Sequence, residues 1–441
     1  MSNYPHFYIP AAAFLAGAIL AIHLKAVYHH VSGCQDPVKD NKEHESGKIS
    51  GSSLTRQPPP IADGIEGCIG NTPLLRIKSL SEATGCEILA KAEFLNGAGG
   101  SPKDRVALNM IQMAERQGLL IPYSGDAIYE GTVGSTGISL ATLARAKGYL
   151  AHICMPSDQS VEKSDLLSKL GAVVDRVPPA PIVETNHFVN RARNLATAFC
   201  PVREVAASSL MVPTGSNAFD YDGAALPDTS KRGIFTDQFE NPANWQAHFQ
   251  STGPEIFAQC EGKLDAFVSG AGTGGTISGV ALYLKPRLPT MSVVLADPQG
   301  SGLFNRIHFG VMFNTKEREG TRRRRQVDTI VEGIGINRIT ANFEAGRELI
   351  DDAVKVTDAQ AIAMAKWLVE KDGFAAVKTA LKLGPGHRIV TILCDSGTRH
   401  LSKFWEHAGS VGNAVDTKFT DVLTASSATN DHSTSNYGEN N

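Results

Sequence analysis

Apolar and polar positions fall into distinct regimes along the chain. Residues 7–24 (FYIPAAAFLAGAILAIHL) hold no Lys, Arg, Asp or Glu, and about 18 such residues approach the ~20 that a helix needs to cross a bilayer. This defines an N-terminal membrane anchor within residues 1–31. Residues 32–60 are rich in Lys, Glu, Ser, Gly and Pro and close on Pro58-Pro59-Pro60, the composition of a linker. Over residues 61–411, short apolar runs then alternate with helical periodicity. Ala127-Ile128-Tyr129 precedes a helix over 137–145, a strand over 151–155 precedes a helix over 161–170, and Ala266-Phe267-Val268 precedes a helix over 277–284. A further strand covers 388–393. Such alternation predicts an α/β protein with parallel-rich sheets, whose ligands bind beyond the carboxyl ends of the strands. Residues 201–232 and 304–328 break the pattern and are expected to be loops, and the polar residues 412–441 a disordered tail.

Charge and cysteine usage narrow the classes of function. The 42 basic and 45 acidic residues leave a formal net charge of −3, which gives no pull toward nucleic acid and favours small-molecule partners. The run Arg322-Arg323-Arg324-Arg325 reads as a solvated loop. The seven cysteines are scattered without a Cys-x-x-Cys pair, as expected of reduced thiols rather than disulfides or a zinc site. No His-Glu-x-x-His is present and no metal is expected. Lys25, Lys39, Lys42 and Lys48 all follow the apolar span and no basic residue precedes it. That pattern argues against a secretory signal and places the bulk of the protein in the cytosol. The arrangement resembles signal-anchored proteins of the mitochondrial outer membrane. The endoplasmic reticulum is the alternative membrane, and a buried helix or a cleaved targeting segment the alternative reading.

Two segments carry candidate chemistry. Gly270-Ala271-Gly272-Thr273-Gly274-Gly275-Thr276 follows a strand and opens a helix, so its N–H groups are suited to hold an anion. With Asp297 about 20 residues on, it also satisfies a dinucleotide fingerprint, and an NAD-type enzyme stays open on this loop alone. The second segment is Ser101-Pro102-Lys103-Asp104-Arg105, where Ser101 and Asp104 are spaced as a capping box and Pro102 suits the first helical position. Lys103 then sits in the first turn of a helix, where the dipole disfavours a cation and favours the neutral amine that Schiff-base formation needs.

The runs Ile69-Gly70-Asn71-Thr72-Pro73-Leu74, Lys91-x-Glu93-x-x-Asn96, Ser101-x-Lys103-Asp104-Arg105, Gln238-Phe239-x-Asn241-Pro242-Ala243-Asn244 and Thr252-Gly253-Pro254-Glu255-Ile256 occur in order, followed by the loop at 272–276. Together they resemble the cysteine synthase and cystathionine β-synthase family, pyridoxal-phosphate enzymes of the second fold type with two subdomains. With the anchor, the chain resembles membrane-anchored fungal cysteine synthase-like proteins. The resemblance implies a catalytic domain over 61–411 with a smaller subdomain near 104–210. It implies pyridoxal 5'-phosphate held on Lys103, which also acts as the catalytic base, with Gly272, Thr273, Gly274, Gly275 and Thr276 on the phosphate and Ser396 on the pyridine nitrogen. A neutral hydroxyl there suits β-elimination better than transamination. Thr132, Val133, Gly134, Thr136 and Gln238 would bind the substrate carboxylate, and Ser135 would face the cofactor ring hydroxyl. Val133 and Ser135 stand where the family usually has Ser and Asn.

About a dozen residues of a family stretch that lines the cleft are missing at Asp372-Gly373-Phe374, by the same comparison of motifs. The implied reaction is β-replacement of O-acetylserine by sulfide to give cysteine, in a homodimer. Cystathionine β-synthase-like and threonine dehydratase-like activities are the enzymatic alternatives. A catalytically weak, membrane-tethered cofactor-binding or interaction protein is the alternative of another class.

Overall fold

The computed structural model describes residues 61–199, 232–312, 329–371 and 383–396. The anchor, linker and tail, nearly all of 201–232, the four-arginine run and the junction at Gly373 lie outside the described residues. Among the described residues no helix is long and apolar enough to cross a membrane.

In chain order the main elements are β1 (Leu74–Arg76), α1 (Lys78–Thr84), β2 (Glu87–Ala92), α2 (Lys103–Arg116), β3 (Ala127–Gly131), α3 (Ser135–Lys147), β4 (Leu150–Pro156), α4 (Val161–Lys169), β5 (Val173–Val177), α5 (Phe188–Phe199) and β6 (Gly233–Phe235). They continue with α6 (Ala243–Ala247), α7 (Gly253–Gln259), β7 (Ala266–Ser269), α8 (Gly275–Leu284), β8 (Ser292–Pro298), α9 (Leu303–Phe309), α10 (Ala341–Glu344), β9 (Asp352–Val356), α11 (Asp358–Lys371) and β10 (Arg388–Leu393). A six-stranded sheet has the order β1-β2-β10-β7-β8-β9, and a four-stranded sheet the order β5-β4-β3-β6. Every pairing is parallel except β1 with β2. The expected α/β class with parallel-rich sheets is therefore the observed one.

Burial explains which runs become which elements. All residues of β3 and β7 are buried, so these strands open on apolar runs, Ala127-Ile128-Tyr129 and Ala266-Phe267-Val268, as strands covered on both faces do. Helix α2 turns Val106, Met110, Ile111 and Ala114 inward, a spacing of four, five and eight residues, against Leu140 and Leu143 of α3 and the four-stranded sheet. Helix α8 packs Ile277, Val280, Ala281 and Leu284 on one face of the six-stranded sheet. Leu80 of α1 and Met364 and Trp367 of α11 cover its other face.

Some boundaries differ from the sequence expectation. Helix α2 begins at Lys103, with Pro102 as its N-cap instead of its first residue. Helices α3 and α8 begin two residues earlier than their apolar periodicity indicates, because polar and glycine residues form their first turns. The stretch 304–328 was expected to be a loop, yet its start belongs to α9. Leu303, Phe304 and Ile307 pack into the core under α8, and Asp297 accepts the Phe304 N–H at 2.8 Å.

Candidate active site

The neighbouring strands β2, β10 and β7 run parallel and end level, with Ala92 beside Leu393 in β10 and Thr391 beside Val268 in β7. Three loops therefore leave the same edge of the sheet side by side. The first leads to Lys103, the second carries Ser396, and the third is the glycine-rich loop at 270–276.

The first loop is held by the residue after Lys103. The Asp104 carboxylate accepts the N–H groups of Ala98, Gly99 and Gly100 at 3.2, 2.7 and 2.9 Å, and the Ser139 hydroxyl of α3 at 2.5 Å. Ser101 Oγ accepts the Lys103 N–H at 3.3 Å. These bonds supply acceptors for N–H groups that a glycine loop and a helix start leave over. Burial pushes the Lys103 amine below its ordinary value of 10.5, against an opposing pull from nearby Cys394.

Beneath Lys103 lies a buried ionic cluster that accounts for several of the quoted motifs. Arg105 donates to Glu93 at 2.7 Å and to Glu255 at 2.5 Å, and Lys91 meets Glu255 at 2.6 Å. Thr72 donates its hydroxyl to Glu93 at 2.7 Å, and Asn96 donates to the same carboxylate at 3.0 Å. Two positive and two negative groups balance, which is what permits their burial. Burial alone would raise the Glu255 carboxyl, but Arg105 and Lys91 hold it down at about 2.

The glycine-rich loop is built by close approach. Gly274 has φ +84°, and a Cβ there would stand 2.5 Å from the backbone of Phe343. A Cβ on Gly275 would overlap Asn244 Oδ1, and one on Gly272 would overlap the Gly333 carbonyl. The loop is therefore confined to glycine at these positions, and Thr273 and Thr276 supply its hydroxyls. His248 contacts the Thr276 hydroxyl at 3.1 Å and the Thr252 hydroxyl at 2.9 Å. Burial holds this imidazole well below its usual value, and the positive charges of Arg105 and Lys103 lower it further.

The loop after β3 belongs to the four-stranded sheet. Thr132 Oγ1 accepts the Gly134 N–H at 3.2 Å, and Gly134 adopts φ +152°, a value that favours glycine. Val133 packs against the apolar cluster of Cys154, Val177 and Phe188, so its side chain faces the core. Ser135 is exposed at the first residue of α3. Thr136 donates to Gln238 Oε1 at 2.5 Å, and Gln238 Nε2 donates to the Gly131 carbonyl at 3.1 Å. Asn244 then donates to the Gln238 carbonyl at 2.7 Å and to Thr273 Oγ1 at 2.9 Å. The chain Thr136–Gln238–Asn244–Thr273 ties this loop to the glycine-rich one. Glu130, at the root of the loop, is fully buried, and its carboxyl is raised to about 8 by burial despite a 2.5 Å bond from Thr236.

The dinucleotide alternative fails at Asp297. This carboxylate is buried and turned onto the start of α9, where it cannot meet a ribose hydroxyl. The sequence profile of the family described as "Pyridoxal-phosphate dependent enzyme" matches residues 65–395. The chain belongs to this family.

Pyridoxal-phosphate dependence follows from that membership. "Cysteine synthase 2" of Emericella nidulans is 66% identical over 96% of this chain and 99% of that protein. "Cysteine synthase 2" of Schizosaccharomyces pombe is 58% identical over 81% of this chain and 86% of its own. Among solved structures, the O-acetylserine dependent cystathionine beta-synthase from Helicobacter pylori aligns with a TM-score of 0.60 and 28% identity, covering 78% of this chain and 98% of that one.

The residues fit the family's cofactor. A loop lined by N–H groups and two hydroxyls at the start of α8 suits a phosphate monoester, and a half-buried lysine with a lowered pKa suits a carbonyl carbon. Of the sequence-predicted residues, Lys103, Gly272, Thr273, Gly274, Gly275, Thr276 and Ser396 lie at adjacent strand ends of one sheet. Thr132, Val133, Gly134, Ser135, Thr136 and Gln238 lie on the other sheet, linked to the first group through Asn244. Sequence reasoning did not place Asn244 and His248 in the site. Asn244 stood inside a quoted motif, but no spacing signals that its amide joins two loops. His248 gives no signal at all, being one of 13 histidines without a pattern.

Proposed function

We propose that this protein is a cysteine synthase that replaces the acetoxy group of O-acetylserine with sulfide. The observation that carries this reading is Lys103, a half-buried lysine at the head of α2 whose desolvated amine follows a loop that leaves the sheet beside the phosphate-type loop. Pyridoxal phosphate, when bound, draws electrons away from the substrate α-carbon. The rest is the work of the chain. Lys103 Nζ would hold the cofactor and, as a free amine, would take the substrate α-proton, a role its lowered pKa suits. The N–H groups of Gly272 to Thr276 and the Thr273 and Thr276 hydroxyls hold the phosphate. Ser396 Oγ would bond the ring nitrogen, and Ser135 would face the ring hydroxyl.

The substrate carboxylate is received by Thr132, Gly134, Thr136 and the Val133 N–H, with Gln238 fixing their geometry. Because Val133 packs into the core, its N–H serves this role without a hydroxyl. The test is to supply the purified full-length protein with O-acetylserine and sulfide. Cysteine formation is expected. Cofactor-loaded protein that forms none, or forms cystathionine from serine and homocysteine more efficiently, would overturn the assignment.

We further propose that residues 7–24 anchor the protein in the mitochondrial outer membrane. On this reading a catalytic domain over 61–411, with a smaller subdomain near 104–210, faces the cytosol as a homodimer, and residues 412–441 form a tail. The support is the uncharged apolar run and the lysines that follow it. A fluorescently tagged chain is expected to lose its membrane location when residues 1–31 are removed. An unchanged location would remove the anchor.

A further inference from the structure

Lys163 and Glu332 belong to none of the motifs that mark the site, yet their side chains meet between its two anion-binding loops. Lys163 stands in the first turn of α4 and is 8% exposed. Its aliphatic stem lies across Gly134, where an added Cβ would be 3.0 Å from Lys163 Cδ. Its Nζ donates to the Glu332 carboxylate, and the two side chains are only 9% and 13% exposed.

Glu332 sits in the segment 329–336, which is anchored on both sides. Thr329 and the Ile330 N–H bond to Asp358 at the start of α11. The Gly335 N–H donates to the Ala271 carbonyl at 2.8 Å, inside the phosphate loop, and the Gly333 carbonyl presses against Gly272. Glu332 is thus fixed to the phosphate loop, and Lys163 to the substrate loop.

We propose that Lys163 and Glu332 are a pair of positioning residues that set the spacing between the substrate-carboxylate loop and the cofactor-phosphate loop. This rests on assigning residues 132–136 to the substrate carboxylate. The two loops hang from different sheets, and the Thr136–Gln238–Asn244–Thr273 chain joins them by neutral hydrogen bonds. The ion pair adds a second strut between them. Its charges are largely shielded from water, so truncating either removes the opposite charge that balances the other beside the loop it should hold. Loss of the strut weakens grip on the amino acid and leaves Lys103 and the phosphate contacts in place.

In the full-length holoenzyme, Lys163→Met and Glu332→Gln are each expected to raise KM for O-acetylserine about tenfold, with kcat and cofactor affinity within about threefold of the parent, as for a coupled pair. Lys163→Arg should retain the parental KM. The swap Lys163→Glu with Glu332→Lys should recover most of the loss. Titrating the cofactor absorbance with L-serine gives the same comparison as a dissociation constant without turnover, and cofactor content and circular dichroism identify any variant that fails to fold. Glu332→Asp, expected to fall between parent and Glu332→Gln, replaces a misfolded single variant.

Unchanged KM and serine affinity in the single variants, or a swap no better than the worse single, would overturn the proposal. A parent that binds serine but makes no cysteine would instead sink the functional reading, and the serine titration would still decide the strut.

Discussion

Lys103→Ala is expected to lower cysteine formation by at least about 10³-fold, because one residue serves both as cofactor anchor and as base. The variant should fold normally. The bonds that fix the start of α2 come from Asp104, Arg105 and Ser101, and the Lys103 N–H that Ser101 accepts is retained in alanine. Borohydride reduction followed by mass spectrometry is expected to fix cofactor to the parent at Lys103 and not to the variant. Cofactor still fixed to the chain after the substitution would move the site elsewhere.

The second large effect concerns stability. Glu93→Ala removes an acceptor from Arg105, Thr72 and Asn96 at once, and leaves the buried Arg105 guanidinium and Lys91 to share the single carboxylate of Glu255. Breaking a buried ion pair by deleting one partner costs about 3–5 kcal/mol. Denaturant unfolding measures it, and a loss under about 1 kcal/mol would show that the cluster is not a structural keystone.

Its other carboxylate predicts the acid limit. Glu255 is depressed from its ordinary 4.5 to about 2 in the fold. The stability it contributes, about 3 kcal/mol, is complete above the ordinary value and drains away as pH falls through about 2. Glu130 acts with the opposite sign. Raised to about 8, it keeps its proton where the unfolded chain has lost one, so its cost accumulates as pH rises from the ordinary carboxyl range toward 8.

Strands and helices were legible wherever burial is one-sided or complete. The expected strand over 388–393 is the observed β10, and the run after Ser160 is α4. Short elements that owe their form to distant partners were not. Helix α9 exists because Asp297 caps it and Leu303 finds the core under α8, neither of which a local window contains. Within the site, Lys103 was legible because proline, serine and aspartate mark a helix start in four residues. The glycine-rich loop was legible as an anion site but not as a particular one, since glycine spacing reports backbone approach and is silent on the ligand.

What decided the matter was the company of Lys103 and the ordered motifs around it, and the direction of the buried Asp297 side chain agrees with them. The ionic cluster was visible only as motifs without a reason. Its members come from residues 72, 91, 93, 96, 105 and 255, and no periodicity connects positions so far apart.

The strand order also has a consequence for how the protein is made. β10 lies between β2 and β7, so the last strand among the described residues must enter the middle of a sheet whose other members were delivered before it. Until residue 393 has left the exit tunnel, β2 and β7 have no strand between them and each presents an open edge. Pairing Arg388 with Glu87 closes a loop of some 300 residues, so the sheet matures late and slowly. A nascent chain halted before β10 contains Lys103 and the whole phosphate loop, but lacks the strand that sets β2 and β7 at their spacing. Release of a chain before residue 393 is therefore expected to yield a product whose cofactor affinity is impaired, which cofactor absorbance of a chain truncated at residue 387 would measure.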